Sequence, residues 1–264
     1  LSVPRRTERT PFDHAFVTDG LMTHHGVSTK EVNYQFPLYL YPNVPGETHS
    51  KIRDTARQTN INPSIVSQLS ETYGDDVTPE DVFNYTYAVL YTRTYRLKYS
   101  EFMETDFPKI PFPEDGSLFR KFASQGKELA QLHILDHPDL GSPGVQLHSE
   151  EDGGGKNEVS ESTGEYYRHY DEEKERLYIN SDQYFASVPQ DVWEYEIGDR
   201  PVVKKWIQNR IGETLSSSDI RKFCRIIQAL IETVAIQDEL DKSWEGIESH
   251  YLTFELEGQQ TLDI

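Results

Sequence analysis

Several acidic residues and one lysine have the types that metal-dependent cleavage of phosphodiesters uses. Asp139 follows Pro138, and Glu172, Glu173 and Lys174 come later in the chain. Two carboxylates held on one divalent ion, with a lysine near the attacking water, would supply this chemistry. The later three residues lie inside the run DEEKER, however, and such charge runs are usually a solvated surface. We therefore keep a metal-dependent nuclease as the third of three hypotheses.

Two histidine pairs could contribute metal ligands. His133 and His137 lie four apart at the end of a predicted helix, where both rings could face one ion. No third ligand is indicated, and Pro138 ends the helix. A helix C-terminus favours cationic side chains in any case, so a structural role is the better interpretation. The pair His24 and His25 lies in a predicted loop and indicates a metal no more strongly.

Basic residues fall in three clusters that could neutralise phosphates. A polyanion needs Lys and Arg along one surface, and the bidentate fork of arginine suits the guanine edge. The sequence alone does not show that the clusters converge, and solvated charges are the better interpretation of each cluster by itself. The candidates are Arg5, Arg6 and Arg9, then Lys51, Arg53 and Arg57, and finally Lys204, Lys205 and Arg210.

The charge is distributed unevenly along the 264 residues, whose formal net charge is −19. Residues 1–60 carry +1, residues 61–149 carry −6 and residues 150–264 carry −14. A strongly acidic chain argues against a polyanion partner unless its basic residues are localised. No apolar run is long enough for a membrane span, no signal peptide is indicated, and one cysteine allows no internal disulfide. We therefore expect no membrane partner and a cytoplasmic location.

The secondary-structure elements that must position these residues are indicated by sequence patterns, which predict an α+β fold. Residues 32–42, VNYQFPLYLYP, indicate short strands in the N-terminal part, and RLYIN and QYFASVP predict a small sheet near residues 176–197. The centre and C-terminus are predicted to be helical. The longest helix begins at SSSDIRKF, with Ser216 or Ser217 as its cap.

A tyrosine-rich helix pair occupies the centre, in DVFNYTYAVLYTRTYRLKYSEFMETDFPKIPFP, residues 81–113. Thr78 caps the first helix and Pro79 takes its first position. Val82, Tyr87 and Leu90 then share one side at helical spacing, which predicts that most of the rings build a core. The prolines after the second helix forbid its continuation.

The chain divides into three predicted regions. Residues 1–140 form an N-terminal lobe with the tyrosine-rich helix pair, and residues 166–264 form a C-terminal lobe with the long helix. Residues 141–165 are rich in Gly, Ser and acids, which predicts a loop or hinge between the lobes. The two lobes are also compatible with one composite domain.

Three blocks together resemble a known family. FPLYLYP, the tyrosine-rich block and VPQDVWEYEIGDRPVVKKWIQNRIGETLSSSDIRKFCRIIQALIETV resemble, in order, the C-terminal region of type ISP restriction-modification enzymes. Related regions occur in large N6-adenine DNA methyltransferases and in helicase-like proteins. The resemblance covers most of residues 36–240. Where the family tends to have IGGYQVL, this chain has Ile197-Gly198-Asp199-Arg200-Pro201-Val202-Val203, which changes the turn and adds an arginine.

The resemblance implies a target recognition domain that reads double-stranded DNA and has no catalytic residues of its own. Its expected partners are DNA and the methyltransferase, helicase or nuclease domains of the same or another polypeptide. The chain lacks the [DNS]PP[YF] motif, the glycine-rich S-adenosylmethionine motif and a Walker lysine. We therefore expect no cofactor in this chain, with S-adenosylmethionine only in a separate methyltransferase domain. Because the sequence begins at Leu1 rather than at methionine, we expect a fragment of a larger polypeptide.

A protein-interaction module is the second hypothesis. The domain would dock onto methyltransferase or helicase domains without touching bases. In that case the tyrosine-rich helix pair would expose a face lined by rings, including Tyr95.

Overall fold

The structure is a computed structural model that describes residues 1–7, 12–22, 32–41, 57–150, 155–161, 169–198 and 200–254. The chain forms two compact units, of which the first comprises Leu1–Ala130 with Gln237–Ile264 and the second Gln131–Ile236. Helices combined with small antiparallel sheets confirm the predicted α+β class. Among the described helices, none is both long enough and apolar enough to cross a bilayer.

Short strands open the first unit, as the sequence predicts. β1 (Ser2–Pro4) pairs antiparallel with β2 (Asn33–Gln35), and β3 (Tyr39–Leu40) pairs antiparallel with β4 (Gln58–Thr59). Pro37 lies between β2 and β3, and its missing N–H keeps both strands short.

Helices follow the strands in the first unit, and two of them have side-chain N-terminal caps that the local sequence encodes. The helices are α1 (Pro63–Tyr73), α2 (Pro79–Tyr91), α3 (Arg93–Lys98), α4 (Ser100–Met103) and α5 (Gly116–His133), the last three residues of which belong to the second unit. The Asn62 carboxamide accepts the Ser64 N–H at 3.0 Å. Thr78 and Asp81 form a reciprocal capping box at the start of α2. The predicted second helix is two short pieces, because α3 ends at Lys98.

Three tyrosine hydroxyls bind the proline-rich segment that follows α4. This extended segment has prolines that supply no N–H, so it cannot enter a sheet interior, yet its carbonyls still need donors. The hydroxyls of Tyr95, Tyr85 and Tyr73 donate to the carbonyl oxygens of Lys109, Pro111 and Pro113, respectively, at 2.7 Å for the first and the last. Tyr85 and Tyr95 are almost completely buried. Most of the tyrosine rings are therefore core, as predicted.

One glycine allows α5 to approach α2 closely. A Cβ atom on Gly126 would lie 1.8 Å from the carbonyl oxygen of Asn84. Only a residue without a side chain fits this contact. The packing of Phe119 and Phe122 against Tyr85 depends on the same approach, with ring centroids 5.0 and 6.0 Å from that of Tyr85.

The second unit is built on a four-stranded antiparallel sheet. Its strands are β5 (Leu147–Ser149), β6 (Tyr170–Asp171), β7 (Arg176–Tyr178) and β8 (Gln183–Phe185), in the spatial order β5-β8-β7-β6. The strand β5 lies inside the stretch predicted as a loop. Val145 and Val159 from the same stretch are buried, so apolar residues among its polar ones build core. Residues 151–154 and 162–168 of that region lie outside the described residues.

Smaller elements and one long helix complete the second unit. They are a 3-10 helix (Pro138–Gly141), α6 (Gln190–Trp193), β9 (Glu196–Ile197), β10 (Arg200–Pro201), α7 (Val202–Gln208) and residues 217–236 of α8 (Ser217–Ser249). Ser216 caps α8, because its hydroxyl accepts the Asp219 N–H at 3.2 Å. Gly198 has φ +66° between β9 and β10, where the sequence predicts a turn.

Candidate nucleic-acid interface

The first two candidate arginines follow β1 and reach the same short turn. Arg5 Nε lies 3.1 Å from an Asp106 carboxylate oxygen, and Arg6 Nε donates to the Thr105 carbonyl at 3.2 Å. The pKa of Asp106 is lowered, first by the Phe107 N–H and then by Arg5. Both arginines remain exposed, so the contacts orient them without removing their charge from solvent. Arg9 lies outside the described residues.

Exposed aromatic rings adjoin this turn. Phe107 follows Asp106, and the rings of Tyr34 and Phe36 pack edge-on against it, with centroids 5.3 and 5.5 Å away. Tyr34 is 45% exposed and Phe36 is 41% exposed. We call Arg5, Arg6, Tyr34, Phe36 and Phe107 the N-terminal strip. It offers cations for phosphates together with ring surfaces that suit bases or protein side chains.

The second basic cluster is represented by one described residue. The Arg57 guanidinium lies 4.2 Å from the centroid of the Tyr39 ring, beside the β3–β4 pair. Burial and the Glu80 carboxylate raise the pKa of the Tyr39 hydroxyl, which donates to that carboxylate. Lys51 and Arg53 lie between β3 and β4, outside the described residues.

The third cluster is held by α7. Val203 and Ile207 are buried and anchor one side of this helix, which leaves Lys204 and Lys205 towards the outside. Lys204 Nζ lies 5.1 Å from the centroid of the Trp193 ring. A cation over an indole keeps most of its charge available to a second partner while its position is fixed.

Arg210 is fixed in the same way, just beyond α7. Its guanidinium lies 3.8 Å from the centroid of the Trp206 ring, and Nη1 donates to the Trp206 carbonyl at 3.2 Å. Trp206 in turn stacks on Phe223 of α8, with centroids 3.7 Å apart. The arginine is therefore oriented by the core of the second unit.

The third cluster is part of a longer cationic segment, which we define as residues 200–225. Two acids, Glu213 and Asp219, oppose seven Lys and Arg residues, giving +5, whereas the second unit as a whole carries eleven Lys and Arg against twenty Asp and Glu, giving −9. Among the ion pairs of the described residues, none involves a cation of this segment. The seven cations are Arg200, Lys204, Lys205, Arg210, Arg221, Lys222 and Arg225.

Sequence reasoning missed part of this segment. Arg221, Lys222 and Arg225 were assigned only to the long helix, and Arg200 only to a departure from the family pattern. A running charge balance over residues 200–225 would have found all four. The signal was hidden by the acidic total of the surrounding C-terminal region.

The outer face of the four-stranded sheet adds a further row of rings. His148 and Tyr178 lie opposite Tyr184 on the two neighbouring strands, with ring centroids 5.6 and 5.2 Å from it. The Arg176 guanidinium lies 4.1 Å from the Tyr184 centroid and contacts Glu150 at 2.8 Å. This face carries both aromatic rings and a cation, but that cation, Arg176, already contacts the Glu150 carboxylate.

The predicted clusters are thus divided between the two units. Arg5 and Arg6 lie together in the first unit, which also holds Arg57. Lys204, Lys205 and Arg210 lie on or beside one helix of the second unit. Their convergence into one strip stays a prediction.

The acidic residues and the histidines considered as metal ligands do not form a metal site in the described part of the chain. No group of three His, Cys, Asp or Glu residues able to hold a metal ion occurs there. His133 Nε2 lies 3.0 Å from the Thr233 hydroxyl, and His137 Nδ1 accepts the Asp139 N–H at 3.3 Å. Lys174 Nζ lies 3.6 Å from Asp171, not beside a bound pair of carboxylates. His24 and His25 lie outside the described residues.

Comparison with known proteins identifies the family. A profile of the Type ISP C-terminal specificity domain matches residues 1–239, so the chain belongs to this family. No match is found among curated proteins.

Two solved structures share the fold. The chain is similar to the ATP-dependent Type ISP restriction-modification enzyme LlaBIII bound to DNA, with a TM-score of 0.53 and 19% identity over 80% of the chain. It is also similar to the DrdV-DNA complex, with a TM-score of 0.54 and 21% identity over 81% of the chain. The matched regions make up 13% and 22% of those chains.

Proposed function

We propose that this chain recognises a target sequence in double-stranded DNA, as the specificity domain of a restriction-modification enzyme or adenine methyltransferase. Membership of the Type ISP C-terminal specificity domain family is the observation that carries the proposal. Both similar structures, the Type ISP enzyme LlaBIII and DrdV, contain bound DNA, which supports the proposal. The cationic segment supports a polyanion partner independently of both comparisons.

The cationic segment is our first candidate for phosphate contacts. None of its cations forms an ion pair among the described residues, although Arg210 and Lys222 help to lower the pKa of Asp219 after its hydrogen bonds with Ser216, and the rest of the second unit is acidic. Lys204 and Arg210 are held over indole rings, so little side-chain freedom remains to be lost on binding. Phosphate contacts of this kind fix the register of a domain on the duplex, and base edges are then read by neighbouring groups. The acidic remainder would discourage non-specific binding along DNA.

The N-terminal strip and its neighbours are the second candidate surface. Arginine combined with exposed rings can contact both phosphates and bases. Residues 1–60, where the chain is not net acidic, supply six candidate cations: Arg5, Arg6 and Arg57 among the described residues, and Arg9, Lys51 and Arg53 outside them.

The chemistry would be supplied by other domains. The matched regions occupy less than a quarter of the similar enzymes, which leaves room for separate catalytic domains. A methyltransferase acting on a base flips that base into its own pocket, so the recognition domain needs only to hold the duplex in register. S-adenosylmethionine would then bind outside this chain.

A titration of the chain with varied duplexes at several salt concentrations tests the proposal. We expect log affinity to fall linearly with log salt, with sequence preference among duplexes. Replacing Lys204, Lys205 and Arg210 together by glutamine should reduce the salt slope by roughly 2 to 3 units, since each phosphate contact contributes about one. Lys127→Gln in the first unit is the charge-matched control for each of the three single replacements and should change the slope little. A flat salt dependence of the unsubstituted chain would contradict phosphate neutralisation.

A protein-interaction module stays the second candidate function, on a different surface from the one the sequence suggested. Tyr95 is buried, so the tyrosine-rich helix pair does not expose it. Exposed rings near the start of the chain include Tyr34, Phe36 and Tyr41, the last at 49%. Docking onto a methyltransferase or helicase domain through these rings predicts that Tyr34→Ala and Phe36→Ala abolish a pull-down while DNA affinity is unchanged.

A further inference from the structure

The second unit contains a cavity that the proposed phosphate contacts of α7 do not use. Its volume is about 660 Å³, and it is lined by residues 140–149, by Asn157 and Gln183, and by the start of α8. Pockets for small molecules generally lie between about 300 and 1,000 Å³. The size therefore suits a ligand the size of a nucleotide.

The lining is positively charged although the surrounding unit is acidic. Arg221 and Arg225 contribute this charge from α8. Among the described residues that line the cavity, none is Asp or Glu. A site that gathers two guanidinium groups and excludes carboxylates in a unit with net charge −9 favours an anion.

Two polar atoms of the lining residues are buried without a partner in the described part of the chain. Arg225 Nε and the Ser149 hydroxyl make no hydrogen bond there. Arg225 Nη2 donates to the Leu135 carbonyl, so one side of its guanidinium is fixed. A buried donor without an acceptor is destabilising, and retaining two of them at one cavity is explained by an acceptor that arrives with a ligand.

The remaining polar lining is already engaged. The Gln183 carboxamide donates to Asn157 Oδ1 at 2.7 Å and accepts the Asn157 N–H at 2.9 Å. These groups shape the wall and leave the two arginines and the serine for the ligand. Burial raises the pKa of the Cys224 thiol, which also belongs to the lining.

We propose that this cavity binds a phosphate group, held by Arg221, Arg225 and Ser149. Guanidinium groups and hydroxyls are suitable donors for the three acceptor oxygens of a phosphate. The phosphate can belong to the backbone of bound DNA or to a free nucleotide, and the chemistry of the site is the same for both. The free-nucleotide source makes the cavity independent of target recognition.

The first test is a calorimetric titration of the full chain with inorganic phosphate and with adenosine monophosphate, in the absence of DNA. Arg221→Gln should weaken saturable binding by about tenfold or more, because it removes a charged donor. Lys127→Gln is the matched control: it removes the same charge from a helix of the first unit, outside the cavity and the cationic segment, and should change affinity by less than about twofold. Equal weakening by both variants would attribute binding to general charge and overturn the proposal.

A duplex titration of the same variants distinguishes the two sources. If the backbone of DNA supplies the phosphate, Arg221→Gln weakens duplex binding more than Lys127→Gln does, and duplex displaces the nucleotide. If a free nucleotide supplies it, nucleotide binding depends on Arg221 and duplex does not compete. The site would be refuted if Arg221→Gln caused no selective loss of binding in either titration. Nucleotide binding that persists in a chain without DNA affinity would refute target recognition alone.

Ser149→Ala separates binding from folding. The buried hydroxyl has no partner in the described residues, so its removal should leave the free energy of unfolding unchanged or slightly higher. The same variant should weaken phosphate binding several-fold. A loss of stability without a change in phosphate affinity would show that the hydroxyl serves the fold and would remove Ser149 from the site.

Discussion

Two helical arginines of the first unit and the cationic segment of the second unit use their charges differently. Arg120 contacts Asp75 and Asp81, each at 3.0 Å, and Arg93 contacts Asp238 and Asp241. In the cationic segment, Lys204 and Arg210 lie over indole rings, and no ion pair among the described residues involves a cation of the segment. The same residue types therefore stabilise the fold at one place and remain available to a ligand at the other.

The difference teaches that net charge is a poor guide to binding in this chain. An arginine paired with two carboxylates adds nothing to the field that a polyanion experiences, whereas an unpaired arginine over an indole adds nearly its whole charge. The acidic total of −19 is thus compatible with a localised cationic surface.

The largest expected effect belongs to the first unit. Gly126→Ala should lower the free energy of unfolding by about 3 kcal/mol or more, because the new methyl group collides with the Asn84 carbonyl and separates α5 from α2. Chemical denaturation measures the change. Gly20→Ala is the control, since nothing lies within 4 Å of a Cβ atom there. Similar stability of both variants would show that the helices do not pack this closely.

A smaller effect is expected from a buried hydroxyl of the first unit. Tyr95→Phe should lower the free energy of unfolding by about 1 to 1.5 kcal/mol, because the Lys109 carbonyl loses its donor in a buried site. Tyr184→Phe is the control, as the Tyr184 hydroxyl makes no hydrogen bond among the described residues. Duplex affinity should be the same for both folded variants. A loss of DNA affinity in Tyr95→Phe but not in Tyr184→Phe would contradict a purely structural role for the Tyr95 hydroxyl.

The smallest effect is the most direct test of the comparison between the units. Arg120→Gln should cost about 1 kcal/mol of stability through its lost ion pairs and leave the salt dependence of DNA binding unchanged. Lys205→Gln should do the reverse, with stability unchanged and the salt slope reduced by about one unit. Denaturation and duplex titration of both variants suffice. Equal effects on the salt slope would mean that paired and unpaired cations contribute alike.

Local sequence signals predicted much of the fold. The caps at Thr78 and Ser216 lie where predicted, because a cap is decided within three or four residues. Most of the rings of α2 were predicted to be core from helical spacing, and Tyr85, Tyr87 and Tyr91 are buried. The strand β5 was missed because it is only three residues long and lies among Gly, Ser and acids.

The candidate site was less predictable from the sequence. Lys204, Lys205 and Arg210 stand out as a cluster, but their rings, Trp193 and Trp206, come from separate positions that no spacing rule connects. The cavity was not predicted at all. Its arginines come from α8 and its serine from β5, more than seventy residues earlier in the chain.

The sequence by itself determined the family, the α+β class and the local caps, because these depend on motifs and on short-range spacing. Only the tertiary structure decided which tyrosine binds which carbonyl, which cations are paired and which residues line the cavity. The physical reason is that these depend on groups distant in the chain, whose meeting is set by packing. From the sequence alone, Arg93 and Arg221 are both arginines of predicted helices. Only the tertiary structure shows that Arg93 contacts carboxylates and that Arg221 lines a cavity.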